Sequence, residues 1–264
     1  MQTVGLEDEV AIQLSQNHAA ITLHCDSCSL STDHTNLVHR AAAAVLHRSE
    51  RKTGLDIVLT KRIPMGAGLG GGSSDAAATI FGLNRLLNLG WSAVEMAQVG
   101  QALGSDVPFF FSAPSATVAG RGEQVHPLRI TGNRWVVLVN PGFPVETKWA
   151  YQQLSSSRAG VQPLSDSHAA LGRNDALSWE QVLQVAENDF ERPVFKTHPG
   201  LQDIKQQLLA QGAEAALLSG SGATVFGVFR DEAGARHVQG HFQAEPQLKV
   251  FAVPAGSGPL ICRS

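Results

Sequence analysis

The chain has 264 residues, enough for one large domain or two modest ones, and a formal net charge of −3. With a pI near 6.4 and no basic stripe it does not read as a nucleic-acid binder, and no apolar run is long enough to span a membrane. The start, MQTVGLEDEV, has neither a charged n-region nor an apolar core, so a soluble cytoplasmic protein is expected. Val10 to Leu14 and Ala19 to Cys25 alternate around the turn-like QNHA, which predicts a hairpin. Cys25 and Cys28 form a lone C-x-x-C beside His24. A zinc half-site needs a second pair, which Cys262 alone does not supply, so these read as ordinary thiols. Asn36 opens NLVHRAAAAVLHRSE, an alanine-rich helix ending before Gly54. His34 and His39 near its start lack carboxylate or cysteine partners and read as surface histidines.

The next stretch organises the chain. LDIVLTKR (Leu55 to Arg62) has the β-branched, half-alternating pattern of a partly buried strand, and Pro64 closes it. Between Gly66 and Gly72 five of seven residues are glycine, which permits positive φ and removes the Cβ atoms that would hold a ligand off the backbone. Ser73, Ser74 and Asp75 then offer N-cap chemistry for a helix carrying Ile80, Leu83, Leu86 and Leu87 at helical spacing, with Gly90 as the stop. Backbone N–H groups opening onto a helix N-terminus make an anion cradle, and this many glycines suit an extended polyphosphate. The Walker pattern fails because no lysine precedes the serines. Gly66, Gly68 and Gly71 satisfy G-x-G-x-x-G, but the acidic residue about twenty positions on is missing. The protein-kinase set fails for lack of HRD and DFG. A glycine-rich turn that binds nothing is the bland alternative.

Ser92 and Glu95 form a capping box for a helix to about Leu103, with Gly104 beyond. Asp106 follows, abutting Val107 to Phe111. A carboxylate there is poorly solvated and needs a partner, such as a helix end or a backbone N–H, or a chemical task. ATVAGRGEQVHPL reads as two short strands around Gly120 and Gly122. WVVLVN (from Trp135) is a buried strand, Pro141 to Pro144 a turn, and residues 152–177 helix fragments and loops. Ser178 and Gln181 cap another helix, ENDFERPVF follows, and LQDIKQQLLAQG is a helix ending at Gly212. AEAALLSG and TVFGVF are strands either side of GSGA, DEAGARHVQGHF is a helix and LKVFAVPA a strand. With the insertion between WVVLVN and LQDIKQQLLAQG set aside, that order, β, α, β, β, α, β, is ferredoxin-like.

PMGAGLGGGSSDAA resembles the second motif of the GHMP small-molecule kinases, P-x-x-x-G-L-G-S/G-S-S/G-A/D-A. LLSGSGATVFGVF is similar to the third, and N-L-x-x-R-A to the segment ahead of the phosphate loop. The triple glycine before SSDAA and the run GSDVPFF resemble the branch acting on 4-diphosphocytidyl-2-C-methyl-D-erythritol. The resemblance implies an α+β fold of two domains. Residues 1–130 would form a ribosomal-protein-S5-like nucleotide domain, and residues 131–264 a ferredoxin-like βαββαβ domain. It implies transfer of a phosphoryl group from ATP, with Mg2+, to the 2-hydroxyl of that small alcohol, and neither a nucleic-acid nor a membrane partner. ATP would be held by Asn36 near the adenine and by Lys61 with the loop Pro64, Met65, Gly66, Ala67, Gly68, Leu69, Gly70, Gly71, Gly72, Ser73 and Ser74. Ser74 would also be a Mg2+ or phosphate ligand. Asp106 would be the general base beside the substrate. Thr147 and Tyr151 would border the cytidine, and Gly220, Ser221 and Gly222 would form the facing turn. Other readings are a kinase of homoserine or mevalonate, a nucleotide-binding module without catalysis, and a dinucleotide-binding domain.

The family's first motif, P-A-K-I/L-N-L with its lysine, and a later Gly-Tyr-His do not occur ahead of this similarity. MQTVGLEDEV aligns with the stretch just after that Tyr-His, as if translation had begun at an internal methionine. The expectation is an upstream frame encoding both, with a lysine that holds the catalytic aspartate ionised and a strand that covers a sheet edge.

Overall fold

Strand β3 (Gly54–Thr60) is the apolar centre of the N-terminal half, with Leu55, Ile57 and Leu59 fully buried on one face. The computed structural model describes residues 1–15, 19–157 and 174–256. In it β3 lies between β1 (Glu9–Ser15), antiparallel with Ile12 opposite Ile57, and β2 (Ile21–Cys25), parallel with Leu23 opposite Ile57. The hairpin expected between β1 and β2 therefore does not form. The most apolar strand takes the middle, where both its edges are hydrogen-bonded, and the two less buried strands become the edges. A parallel pair requires a crossover, and α1 (Leu37–Arg48) provides it.

Helix α1 is capped by Asn36, whose side-chain oxygen accepts the Val38 N–H at 2.8 Å. It buries Val38, Ala41, Ala42 and Val45 against the sheet, in one core with Ala76, Ala77, Ile80 and Leu83 of α2 (Gly71–Leu86). Each fully buried Leu or Ile contributes about 1.5–3 kcal/mol, and the alanines let the two helices approach closely. Helix α2 stops short of Gly90: its cap is Leu87, and Asn88 at φ +50 makes the left-handed exit. Helix α3 (Ala93–Gln101) starts at the expected capping box, Glu95 accepting the Ser92 N–H at 2.8 Å. A 3-10 turn, Pro108–Phe111, follows. Strands β4 (Ala116–Ala119) and β5 (Gln124–Pro127) pair around Gly120 and Gly122 as expected. An unforeseen pair follows, β6 (Arg129–Thr131) parallel to β8 (Ala176–Ser178), each too short to show alternation.

The C-terminal half is built on an antiparallel sheet ordered β11-β7-β10-β9, from β7 (Trp135–Asn140), β9 (Ala215–Leu218), β10 (Val225–Phe229) and β11 (Lys249–Pro254). Helix α7 (Pro199–Ala210) precedes β9, and α8 (Glu232–Phe242) precedes β11, which completes the expected ferredoxin-like order. Strand β7 is buried on both faces. Val137 and Val139 join the core of α7 and α8, while Val136 and Leu138 form a smaller cluster with Val253. That explains the unbroken run WVVLV where a one-sided strand would alternate. Leu69 of the glycine loop packs on the smaller cluster beside Val4 and Leu6, so the loop's one leucine anchors it to the C-terminal sheet. The first residues lie between the two halves, with Gln2 bridging to Ser115 and Val4 to Ala255. Helix α4 (Thr147–Ser157) opens the polar stretch after β7, most of whose remainder, residues 158–173, lies outside the described residues. Two short helices, α5 (Trp179–Gln184) and α6 (Glu191–Thr197), lead to α7, and α5 has its expected Ser178–Gln181 capping box. No helix among the described residues is long and apolar enough to cross a membrane.

Candidate active site

Helix α2 begins at Gly71, not at the serines. Its N-cap is Gly70, at φ +68, which brings no side chain to the free amides of the first turn. The N-cap role expected of Ser73, Ser74 and Asp75 is corrected accordingly. The Ser74 N–H already donates to Gly70 O at 2.9 Å, its Oγ donates to Gly71 O at 2.7 Å, and Asp75 is only 3% exposed. A serine or aspartate cap would occupy the first-turn amides. Glycine leaves them, and the positive end of α2, facing the cleft. Gly66, Gly68 and Gly70 are all left-handed. At Gly68 a steric reason adds to the conformational one, since a Cβ would lie 2.1 Å from the Ser219 carbonyl oxygen.

Asp75 is inside because Lys61 is there. The Lys61 ammonium donates to Asp75 Oδ2 at 2.7 Å and to Asp8 Oδ2, with all three side chains almost completely buried. Asp8 Oδ1 in turn accepts the N–H groups of Arg62 at 2.5 Å and Ile63 at 2.9 Å. Burial works to discharge Lys61, but Asp75 and Asp8 outweigh it and hold the ammonium above its ordinary value. Burial pushes the Asp75 carboxyl up to about 7; Lys61 opposes that shift and the second carboxylate, Asp8, adds to it. Two carboxylates share one cation, and the triad ties the start of β1, the end of β3 and the first turn of α2 together.

The other residues singled out from sequence border the same cleft, of about 1450 Å³, with one exception. Asn36 lines it but spends its side chain locally, donating to Ser31 O at 2.6 Å while capping α1. Asp106 also lines it, and among the described residues its carboxylate has no hydrogen-bond or ion-pair partner, so the helix-capping alternative fails. Burial raises its pKa. Thr147 opens α4 with its Oγ1 3.2 Å from Ser221 Oγ. Tyr151 is 58% exposed and sits edge-on to Phe190, a ring available to a ligand and not a core residue. Gly220 and Ser221 reach the cleft; Gly222 lies behind, where its backbone would touch any Cβ on Gly68. The volume exceeds the roughly 300–1,000 Å³ usual for one drug-sized ligand.

A family model described as the GHMP kinases N terminal domain matches residues 36–113, and one described as GHMP kinases C terminal matches residues 164–246. The chain belongs to the GHMP kinase family. Among the similar curated proteins of this GHMP kinase is a 4-diphosphocytidyl-2-C-methyl-D-erythritol kinase of Syntrophotalea carbinolica, 40% identical over 96% of this chain and 88% of the relative. A crystal structure of 4-(cytidine 5'-diphospho)-2C-methyl-D-erythritol kinase superposes with a TM-score of 0.77 at 30% identity, covering 97% of this chain and 88% of that one. A homoserine kinase structure from Cytophaga hutchinsonii reaches a TM-score of 0.74 over 94% of this chain and 85% of that one, but at 21% identity it speaks for the fold alone.

Several residues that shape this GHMP kinase site carried little sequence signal. Asp8 is one acid among three in LEDEV, and nothing local marks it as the partner of Lys61. Asn188, half-buried beside the Gly-Ser-Gly turn at the edge of the cleft, lies in the unassigned segment ENDFE. Ser219 stands just ahead of the matched turn and reaches the glycine loop, its Oγ donating to Gly68 O at 2.9 Å.

Proposed function

We propose that this GHMP kinase transfers the terminal phosphoryl group of ATP to the 2-hydroxyl of 4-diphosphocytidyl-2-C-methyl-D-erythritol. The observation that carries the reaction class is one cleft bordered by an uncapped helix end and by a carboxylate with no partner among the described residues. The curated relatives carry the choice of acceptor. The division into residues 1–130 for nucleotide and 131–264 for the second domain belongs to the same reading.

The loop from Pro64 to Ser74 and the N-terminus of α2 hold the triphosphate through backbone amides, whose dipoles cost no reorganisation as charge shifts. Lys61 acts from beneath: with its ammonium committed to Asp8 and Asp75, it holds the first turn in place. Ser74 gives its hydroxyl proton to Gly71 O, so its oxygen offers lone pairs only, which suits a cation better than a phosphate oxygen. Among the described residues no cluster of three or more His, Cys, Asp or Glu could hold a metal, so Mg2+ would arrive on the triphosphate and touch the protein at Ser74. Bound there, it would offset phosphate charge. Thr147 and Tyr151 flank the cytidine, and Ser221 lies between Thr147 and the loop. The acceptor oxygen attacks the γ-phosphorus, its proton passes to Asp106, and ADP leaves with the electron pair of the broken P–O bond. The upward shift of the Asp106 carboxyl makes it a better proton acceptor near neutral pH.

The test is ADP release by the purified chain with MgATP and this acceptor, against homoserine and mevalonate. Release should depend on the diphosphocytidyl alcohol. Asp106→Asn, which keeps shape and removes proton acceptance, should lower turnover by about 10²–10⁴ with ATP affinity unchanged. Preference for another alcohol would reassign the substrate, and ATP binding without any turnover would favour a non-catalytic nucleotide-binding module.

A further inference from the structure

The segment Glu187 to Glu191 has no role in the chemistry above, yet it borders the same cleft and holds the Gly-Ser-Gly turn. The side-chain NH2 of Asn188 donates to two backbone carbonyls of that turn, Leu218 O and Gly220 O, both at 2.8 Å. Its Oδ1 accepts the Phe190 N–H at 2.9 Å, which fixes the amide's orientation. Glu191 Oε1 accepts the Leu218 N–H at 2.9 Å and its Oε2 pairs with Lys205 at 2.6 Å. Ser219 therefore sits between two pinned carbonyls, in a turn where Gly220 and Gly222 are left-handed and would otherwise reorient easily.

The pinned turn bears directly on the glycine loop. Ser219 Oγ donates to Gly68 O at 2.9 Å, and the Thr224 N–H donates to Ala67 O at 3.2 Å. Gly68 meets the turn so closely that no Cβ could fit. On its other side the turn carries Ser221, in contact with Thr147. One element thus touches the proposed donor loop and the proposed acceptor wall, and a shift in it misaligns both.

We propose that Asn188 is a positioning residue for phosphoryl transfer: its amide fixes the Gly-Ser-Gly turn, and the turn fixes the glycine loop at Ala67 and Gly68. The proposal rests on the kinase reading above. It requires a donor at this position and not merely a group of that size. Asn188→Asp keeps the shape and the acceptor for Phe190 but sets a carboxylate oxygen against two carbonyl oxygens, whereas a space-filling role would tolerate it.

The experiment follows two readouts in Asn188→Asp, Asn188→Ala and Ser219→Ala: loop exchange, read as hydrogen exchange of the Thr224 amide that donates to Ala67 O and of the Ser219 and Gly222 amides bonded within the turn, and kcat separately from KM. Both Asn188 variants should speed loop exchange by about tenfold or more and lower kcat by about tenfold to a hundredfold, with smaller changes in KM. Ser219→Ala, which cuts only the link to Gly68, should move both readouts the same way by less, and it carries the test if an Asn188 variant does not fold. Unchanged loop exchange would overturn the proposal whatever the turnover, as would faster exchange with an unaltered kcat. Wild-type protein that releases no acceptor-dependent ADP would count against the kinase reading, while the exchange data would still decide whether Asn188 holds the loop.

Discussion

Gly72→Asp should raise stability and weaken ATP binding at once, two effects of opposite sign from one carboxylate. Gly72 is the second residue of α2, exposed to the cleft and free of positive φ. A Cβ there would have a single neighbour within contact range, Leu37 Cδ1 at 3.4 Å, so the side chain fits without displacing backbone. Removing a helical glycine gains a few tenths of a kcal/mol, and a negative charge in the first turn of a helix adds about 0.3–1 kcal/mol. The same charge faces the proposed polyphosphate. At about 6 Å and an effective dielectric constant of about 20, each pair of unit charges repels by about 3 kcal/mol. Solvent in an open cleft removes about half of that, and the double charge of MgATP restores it. The result is about 3 kcal/mol, or roughly 100-fold weaker binding. Calorimetric titration with a non-hydrolysable ATP analogue and a thermal melt read the two effects separately. Gly72→Asn, with the same shape and no charge, should bind far better than the aspartate variant. If the aspartate variant bound ATP as tightly as wild type, the loop would be a turn without a phosphate, and the reasoning from the uncapped helix end would be wrong.

The buried triad makes stability depend on pH in a stated direction. Because the Asp75 carboxyl is raised to about 7 in the native state, the folded protein binds more protons than the unfolded one between about pH 4 and 7. The stabilisation from this group is therefore full at low pH and is lost as pH rises through 7, with a slope of at most about 1.4 kcal/mol per unit. The stability of wild type relative to Asp75→Asn, measured by urea unfolding, should fall as pH rises across that window; a difference independent of pH would show that Asp75 titrates normally. Lys61→Met should cost about 3–5 kcal/mol by leaving two buried carboxylates without their cation, and adding Asp75→Asn should recover part of it. Were Lys61 instead to contact the phosphates with a free ammonium, Lys61→Met would lower ATP affinity and leave the melting temperature nearly unchanged.

Features that depend on neighbours along the chain were legible from sequence alone. The Ser92–Glu95 and Ser178–Gln181 capping boxes, the Asn36 cap and the glycine loop leading into α2 are contacts within a few residues of their origin. The βαββαβ order of the C-terminal half likewise follows from period and turns, and that order leaves few ways to pair the strands. Resemblance of short motifs then named the loop, Asp106 and the Gly-Ser-Gly turn. What sequence could not supply was which distant group meets which. The alternation of β1 and β2 reads the same whether they pair with each other or on either side of β3, and only burial of β3 decides for the second. The run SSD looks like a helix cap until Lys61, paired with Asp8 from 53 residues away, draws Asp75 inside and leaves the cap to Gly70. Asn188 reaches carbonyls 30 and 32 residues on. Such partners are chosen by packing over the whole chain: a buried charge or donor settles where a complementary group is already desolvated, and no local pattern records that place.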